Sequence, residues 1–153
     1  MLWPNLVLIA VVLGFAPALV RADLREHRLP NALTLGLAVS VGTVALAAAL
    51  STGEWGHLLS ALLGAAAMTM TYWLLALVPN GMGYGDVKLA VSIGFVTGWW
   101  GWQPWFVAVI AAFIFGGVGA LWRIVRGGAM RQHIAFGPAM LLGWAVAAWT
   151  ALA

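Results

Sequence analysis

Only four carboxylate side chains stand in this chain of 153 residues, so each is a candidate for chemistry. Two of them, Asp23 and Asp86, lie in segments unlike the apolar sequence around them. The first is Arg21-Ala22-Asp23-Leu24-Arg25-Glu26-His27-Arg28-Leu29-Pro30-Asn31, and the second is Pro79-Asn80-Gly81-Met82-Gly83-Tyr84-Gly85-Asp86-Val87-Lys88. Each has an ordinary explanation when taken alone. Charge at the end of a membrane helix is inexpensive, so Asp23 and Glu26 can offset neighbouring arginines. An aspartate in the first turn of a helix is favoured by the macrodipole. Together the two segments allow more. Two carboxyl groups close to one another cannot both ionise cheaply, so such a pair shares one proton near neutrality. A pair of that kind can hydrolyse a peptide bond without a metal or a covalent intermediate. One aspartate, ionised, takes a proton from the attacking water; the other, protonated, polarises the carbonyl oxygen and later helps the amine depart. The residues leave open which aspartate takes which role.

That chemistry needs elements that bring positions 23 and 86 together. Hydrophobic residues make up 64% of the chain and charged residues 7%, against about a quarter charged in soluble domains. This excludes an ordinary water-soluble globule and a disordered chain, and points to lipid as the solvent. The absence of cysteine excludes a thiolate zinc cluster and a disulfide framework. His27, His57 and His133 are scattered over two faces, so no metal-binding set is expected. The basic residues sit in loops with no aromatic platform between them, which argues for topology and against nucleic acid.

Charge marks off five apolar stretches, at 2–20, 32–51, 58–78, 89–122 and 134–152. A spanning helix takes about 20 residues, so the fourth stretch is too long for one. Gly98, Gly101 and Pro104 amid Trp99, Trp100, Trp102 and Trp105 have the composition of a turn with interfacial aromatics. Dividing the stretch there gives an all-α, polytopic membrane protein of six transmembrane helices in a single domain, 1–153. Six crossings put Arg21, Arg25 and Arg28, then Lys88, then Arg123, Arg126 and Arg131 on one face, which the positive-inside rule makes cytoplasmic. Both termini then face outward. Residues 1–20 lack the basic leading segment and small-residue cleavage site of a secretory signal and read as a retained membrane helix.

This topology puts Asp23 just beyond the end of the first helix. The fourth helix, short of residues, must begin at or before Asp86, so both acids lie at one depth. Pro30 should stop or start a helix and Asn31 should cap the second. Gly81, Gly83 and Gly85, at alternate positions, would bare one side of an extended strand to a neighbouring backbone. Gly94 with Gly98, and Gly116, Gly117 and Gly119, are small residues suited to close helix contacts in lipid. A break is expected at Gly127-Gly128, with Phe136-Gly137-Pro138 opening the last helix.

Asp23 followed by Leu29-Pro30-Asn31, then Gly83-Tyr84-Gly85-Asp86-Val87-Lys88-Leu89, then Phe136-Gly137-Pro138, resembles the type IV prepilin peptidases, membrane aspartyl proteases of the Gly-x-Gly-Asp class. The resemblance implies that Asp23 and Asp86 form a catalytic dyad without a cofactor. It also implies that Gly83, Gly85, Lys88, Pro30, Asn31, Phe136, Gly137 and Pro138 bind substrate or shape the site. The expected partners are the bilayer and a prepilin-like single-pass substrate, cut at the cytoplasmic face of the inner membrane. Larger members carry an N-terminal cytoplasmic part with paired cysteines that accompanies methylation. This chain begins with the first helix and lacks cysteine, so the expectation is a short peptidase without methyl transfer, similar to those of Flp-type tight-adherence pili.

Other polar residues read as less informative. Glu26 fits a salt-bridge partner and Glu54 lies on the outer face. Lys88, two residues past Asp86, should point away from it and snorkel to headgroups, the alternative being contact with substrate or the dyad. The competing reading is a six-helix proton-coupled carrier with Asp86 as its proton site. That reading has difficulty with two acids at one face and none at mid-membrane.

Overall fold

The computed structural model describes residues 2–26, 29–78, 82–126 and 136–152. These residues form six helices: α1 (Trp3–Glu26), α2 (Asn31–Thr52), α3 (Trp55–Ala76), α4 (Tyr84–Trp100), α5 (Trp102–Val125) and α6 (Gly137–Leu152). No strand occurs among the described residues. The division of the long apolar stretch falls at Gly101, whose φ of 115° is closed to ordinary side chains. One residue therefore suffices to turn α4 into α5. Gly53, at φ 75°, ends α2 in the left-handed conformation and returns its N–H to Ala49 O at 2.8 Å.

Four of the helices, α1, α2, α3 and α5, are long and apolar enough to cross a membrane. Helices α4 and α6, of 17 and 16 residues, are shorter. The brevity of α4 goes with its place in the bundle. It packs against α2, α3, α5 and α6, and Leu89, Ala90 and the run Ser92–Trp99 are buried. A helix that is apolar all round belongs in an interior. Glycine sets how closely its neighbour approaches. A Cβ on Gly94 would stand 2.6 Å from Gly64 O, and one on Gly98 would stand 3.0 Å from Gly64 Cα. The α3 and α4 backbones are therefore in direct contact, as small-residue helix interfaces in lipid require.

The structure departs from several sequence expectations. Helix α1 does not stop at residue 20 but runs to Glu26, so Asp23 lies inside its last two turns. Gly117 and Gly119 meet nothing within 4 Å and serve no close contact. Trp105 is not an interfacial anchor: it is buried, and its Nε1 donates to Gly64 O at 2.9 Å. His27, Arg28, Pro79, Asn80, Gly81, the Gly127-Gly128 break, Arg131 and His133 lie outside the described residues.

The helices alternate in direction, which two end-to-end groupings make plain. At one end, Pro4 and Asn5 of α1, Thr52, His57 of α3, Trp99 and Trp100 of α4 and Ala151 of α6 line one small polar pocket. At the other end lie the last turns of α1 and the starts of α2, α4 and α6. That end carries both aspartates.

Candidate active site

Helical periodicity aims the first aspartate. The buried residues of α1 are Pro4, Leu8, Val12, Leu19 and Asp23, a stripe at intervals of four and seven that marks one helix face. Asp23 is thus the polar end of an apolar stripe, 5% exposed, while Arg21, Arg25 and Glu26 face outward. Glu26 is therefore no part of the buried site. The second aspartate follows the same logic. Asp86 shares a face of α4 with Leu89, Ala90 and Ile93, and it is 6% exposed.

Gly83 is the N-cap residue of α4, and the Asp86 N–H donates to Gly83 O at 3.0 Å. The Asp86 carboxylate folds back over this turn, with Oδ2 3.4 Å from where a Gly83 Cβ would stand. Asp23 and Asp86, far apart in sequence, lie within Coulombic reach of each other. The juxtaposition expected from topology is thus present in the fold.

Three further contacts assemble the site from distant segments. A Cβ on Gly85 would lie 3.2 Å from Leu29 N and 3.3 Å from Leu29 Cβ, so the start of α4 rests directly on the link between α1 and α2. The close approach is as expected, but its basis differs: of the two described glycines, Gly85 is already helical and only Gly83 is extended. Lys88 Nζ donates to Asn31 Oδ1 at 2.6 Å, tying α4 to the start of α2. The side chain of Asn31 is therefore engaged across helices and does not cap its own; the N-cap position belongs to Pro30, without a side-chain bond. The third contact comes from α6, where the Gly137 N–H donates to Asp23 Oδ2 at 2.9 Å. Gly137 is the first residue of α6, so this N–H is one of the donors a helix leaves unpaired at its N-terminus. Such donors, with the macrodipole behind them, favour an anion.

Phe136 holds that helix end in place. Its ring lies 5.6 Å from Phe113 of α5 and 6.0 Å from Tyr72 of α3, and Tyr72 stacks on Phe113 at 5.8 Å. A Cβ on Gly116 would collide with the same ring. Phe136 therefore fills a notch that only glycine leaves open. Tyr72 escaped the sequence reading. It is 1% exposed and within Coulombic reach of Asp86. The signal was available, because Ala61, Ala65, Met68 and Tyr72 form the buried stripe of α3. Pro138 occupies the first turn of α6 as expected.

A bundle of apolar helices with two buried carboxylates converging at one end defines a class of helical membrane protein with an acidic pair at its heart. Residues 8–121 match the model of the type IV leader peptidase family, and the chain belongs to that family. It is 32% identical over 139 residues to a prepilin leader peptidase/N-methyltransferase of Stutzerimonas stutzeri, an alignment covering 86% of this chain and 46% of the relative. A protein of the same name from Pectobacterium carotovorum is 34% identical over 149 residues, covering 93% and 49%. One from Pseudomonas aeruginosa is 31% identical over 138 residues, covering 88% and 46%. The chain spans about half the length of the curated relatives it matches. No solved structure matches it.

Proposed function

We propose that this protein is an aspartic endopeptidase that removes the leader of type IV prepilin-like substrates at the cytoplasmic face of the inner membrane, with Asp23 and Asp86 as its catalytic dyad. The observation that carries the reading is the burial of the two carboxylates within Coulombic reach of each other, in a chain of the leader peptidase family. The positive-inside argument supports the cytoplasmic assignment, because Arg21, Arg25, Lys88, Arg123 and Arg126 belong to the helix ends on the dyad's side. Family membership lends the carrier alternative no support.

The hydrogen bond from Gly137 favours a carboxylate at position 23 over a carboxylic acid there, which supports Asp23 as the base and Asp86 as the acid. Asp23 takes a proton from water as the water oxygen attacks the scissile carbonyl. Asp86 gives its proton to the carbonyl oxygen, leaving a gem-diol. On collapse, one diol hydroxyl returns its proton to Asp86, Asp23 passes its own to the leaving nitrogen, and the C–N bond breaks. The dyad ends as it began. The substrate must be unwound at the cut, since a helix hides its carbonyls.

The test is cleavage of a prepilin-like substrate by the purified chain in lipid vesicles. A shortened product is expected from the native chain and none from Asp23→Asn or Asp86→Asn. Near-normal cleavage by either variant overturns the dyad, and no cleavage by the native chain overturns the peptidase.

A further inference from the structure

Helices α2 and α3 are consecutive yet touch sparsely, while α4 packs on both. Val91, on the α4 face between them, is 38% exposed and has an open apolar groove on either side. The two grooves are of similar volume, about 360 Å³ on the α2 side and 390 Å³ on the α3 side, so size does not distinguish them. Their linings do. The α3-side groove is lined by Ala65, Ala66, Thr69, Met70 and Trp73, none of which belongs to the segments around the aspartates. The α2-side groove is lined by Thr34, Leu35 and Ala38 and is headed by Asn31 and Lys88. Those two residues belong to the same segments as Asp23 and Asp86, and Gly85 on Leu29 joins the segments immediately beside them.

We propose that the α2–α4 groove receives the first turns of the substrate's transmembrane helix, the part that follows the scissile bond. This rests on the peptidase reading above. Depth supports it: Lys88 is two residues from Asp86, about 3 Å along a helix, so the head of the groove stands at the level of the dyad. From Asn31 to Ala38 the groove descends about 10 Å, or two helical turns. Chemistry supports it as well. The Thr34 hydroxyl is turned back onto Asn31 O at 3.2 Å, so the walls below the head are apolar. The head is rich in donors: Lys88 spends one N–H on Asn31 Oδ1, leaving its others and the Asn31 amide N–H groups to give. The unwound residues at a cut have carbonyls in need of donors, followed by an apolar helix in need of apolar walls. An enzyme with this groove takes substrate sideways from the bilayer, leader towards the dyad and helix along α2.

The chain has no cysteine of its own, so an introduced thiol reports one position. Leu35→Cys in the groove, Ala66→Cys in the α3-side groove and Val118→Cys on exposed α5 would each be reconstituted in vesicles. The probe is a synthetic peptide with a polar leader and an apolar helix carrying one cysteine in its second turn. Oxidation should join the peptide to Leu35→Cys at least about tenfold more than to the other two. In parallel, Leu35→Trp should raise KM for this peptide by about tenfold, a difference of about 1.4 kcal/mol. It should leave cleavage of a short peptide without the helix unchanged. Cross-linking that favours Ala66→Cys, or is equal at all three sites, overturns the groove while the native chain still cleaves, and so does an unchanged KM for Leu35→Trp. Occupation by a lipid chain alone gives that last pair of results. Failure of every variant and the native chain to cleave counts against the peptidase itself.

Discussion

Gly137 stands so close to Asp23 that any side chain there would displace the carboxylate: a Cβ at position 137 would lie 2.7 Å from Asp23 Oδ2. The same glycine gives its N–H to that oxygen at 2.9 Å. Close approach and hydrogen bond fall on the same oxygen, so a side chain at position 137 would press on the atom that its own N–H holds. One end of α6 thereby fixes one oxygen of α1, and the orientation of Asp23 depends on where α6 begins.

Gly137→Ala is therefore expected to abolish useful cleavage without unfolding the bundle. The added methyl must push the carboxylate aside, and a displacement near 1 Å in a catalytic group costs on the order of 100-fold in rate. The measurement is kcat for a prepilin-like substrate in vesicles, alongside helix content by circular dichroism. Loss of rate at unchanged helix content is the expected result; near-native kcat would mean that Asp23 is not held through α6.

Two carboxyls that act as a unit should lose their function as a unit. If Asp23→Asn and Asp86→Asn each remove the dyad, the double variant should be no slower than either single one, since catalytic groups in one constellation are strongly non-additive. Residual hydrolysis by the three proteins, measured with a sensitive labelled substrate, should agree within about threefold. Independent, multiplying losses would show that the residues act in separate steps.

The notch at Gly116 offers a test by exchange of size. Gly116→Ala should be as damaging as a direct change at the site, because its methyl collides with the ring of Phe136 and displaces the start of α6. Phe136→Leu, combined with it, returns the space and should recover at least about tenfold of the lost activity. A double variant no better than Gly116→Ala would mean that Phe136 does not transmit the displacement.

Much of the bundle was legible because lipid imposes a simple rule: apolar runs of sufficient length cross, and charge marks their ends. That rule gave six helices and brought positions 23 and 86 to one end. It could not give the rotation of each helix, on which burial of the carboxylates depends. Following Leu8, Val12 and Leu19 through the charged residues would have turned Asp23 inward, and following Ala61, Ala65 and Met68 would have found Tyr72. Taken one helix at a time, the sequence makes Asn31 a cap and Lys88 a snorkelling cation, whereas the bond between them joins two helices. The fit of Phe136 against Gly116 is a matter of shape between residues far apart in the chain, and no periodicity records it. Gly117 and Gly119 illustrate the converse, since a cluster of small residues is used only at the member that faces a neighbour.

The α3–α4 contact should govern stability apart from chemistry. Gly64 and Gly94 stand with their backbones touching, each lacking room for a methyl before the other's carbonyl oxygen, at 2.6 Å in both directions. Backbone carbonyls cannot yield as a flexible side chain can, so Gly64→Ala or Gly94→Ala must part the helices. Overpacking of this kind costs about 1–3 kcal/mol. In lipid no hydrophobic drive between helices compensates, since the separated surfaces are solvated by acyl chains as well as by each other. Because the two glycines share one contact, the double variant should be less destabilised than the sum of the single ones: once the first methyl has opened the interface, the second enters space already made. Thermal or denaturant unfolding in detergent measures this. The single variants should lose stability while Gly42→Ala, at a position with nothing within 4 Å, should not. Strict additivity of Gly64→Ala and Gly94→Ala, or equal loss from Gly42→Ala, would count against the direct backbone contact.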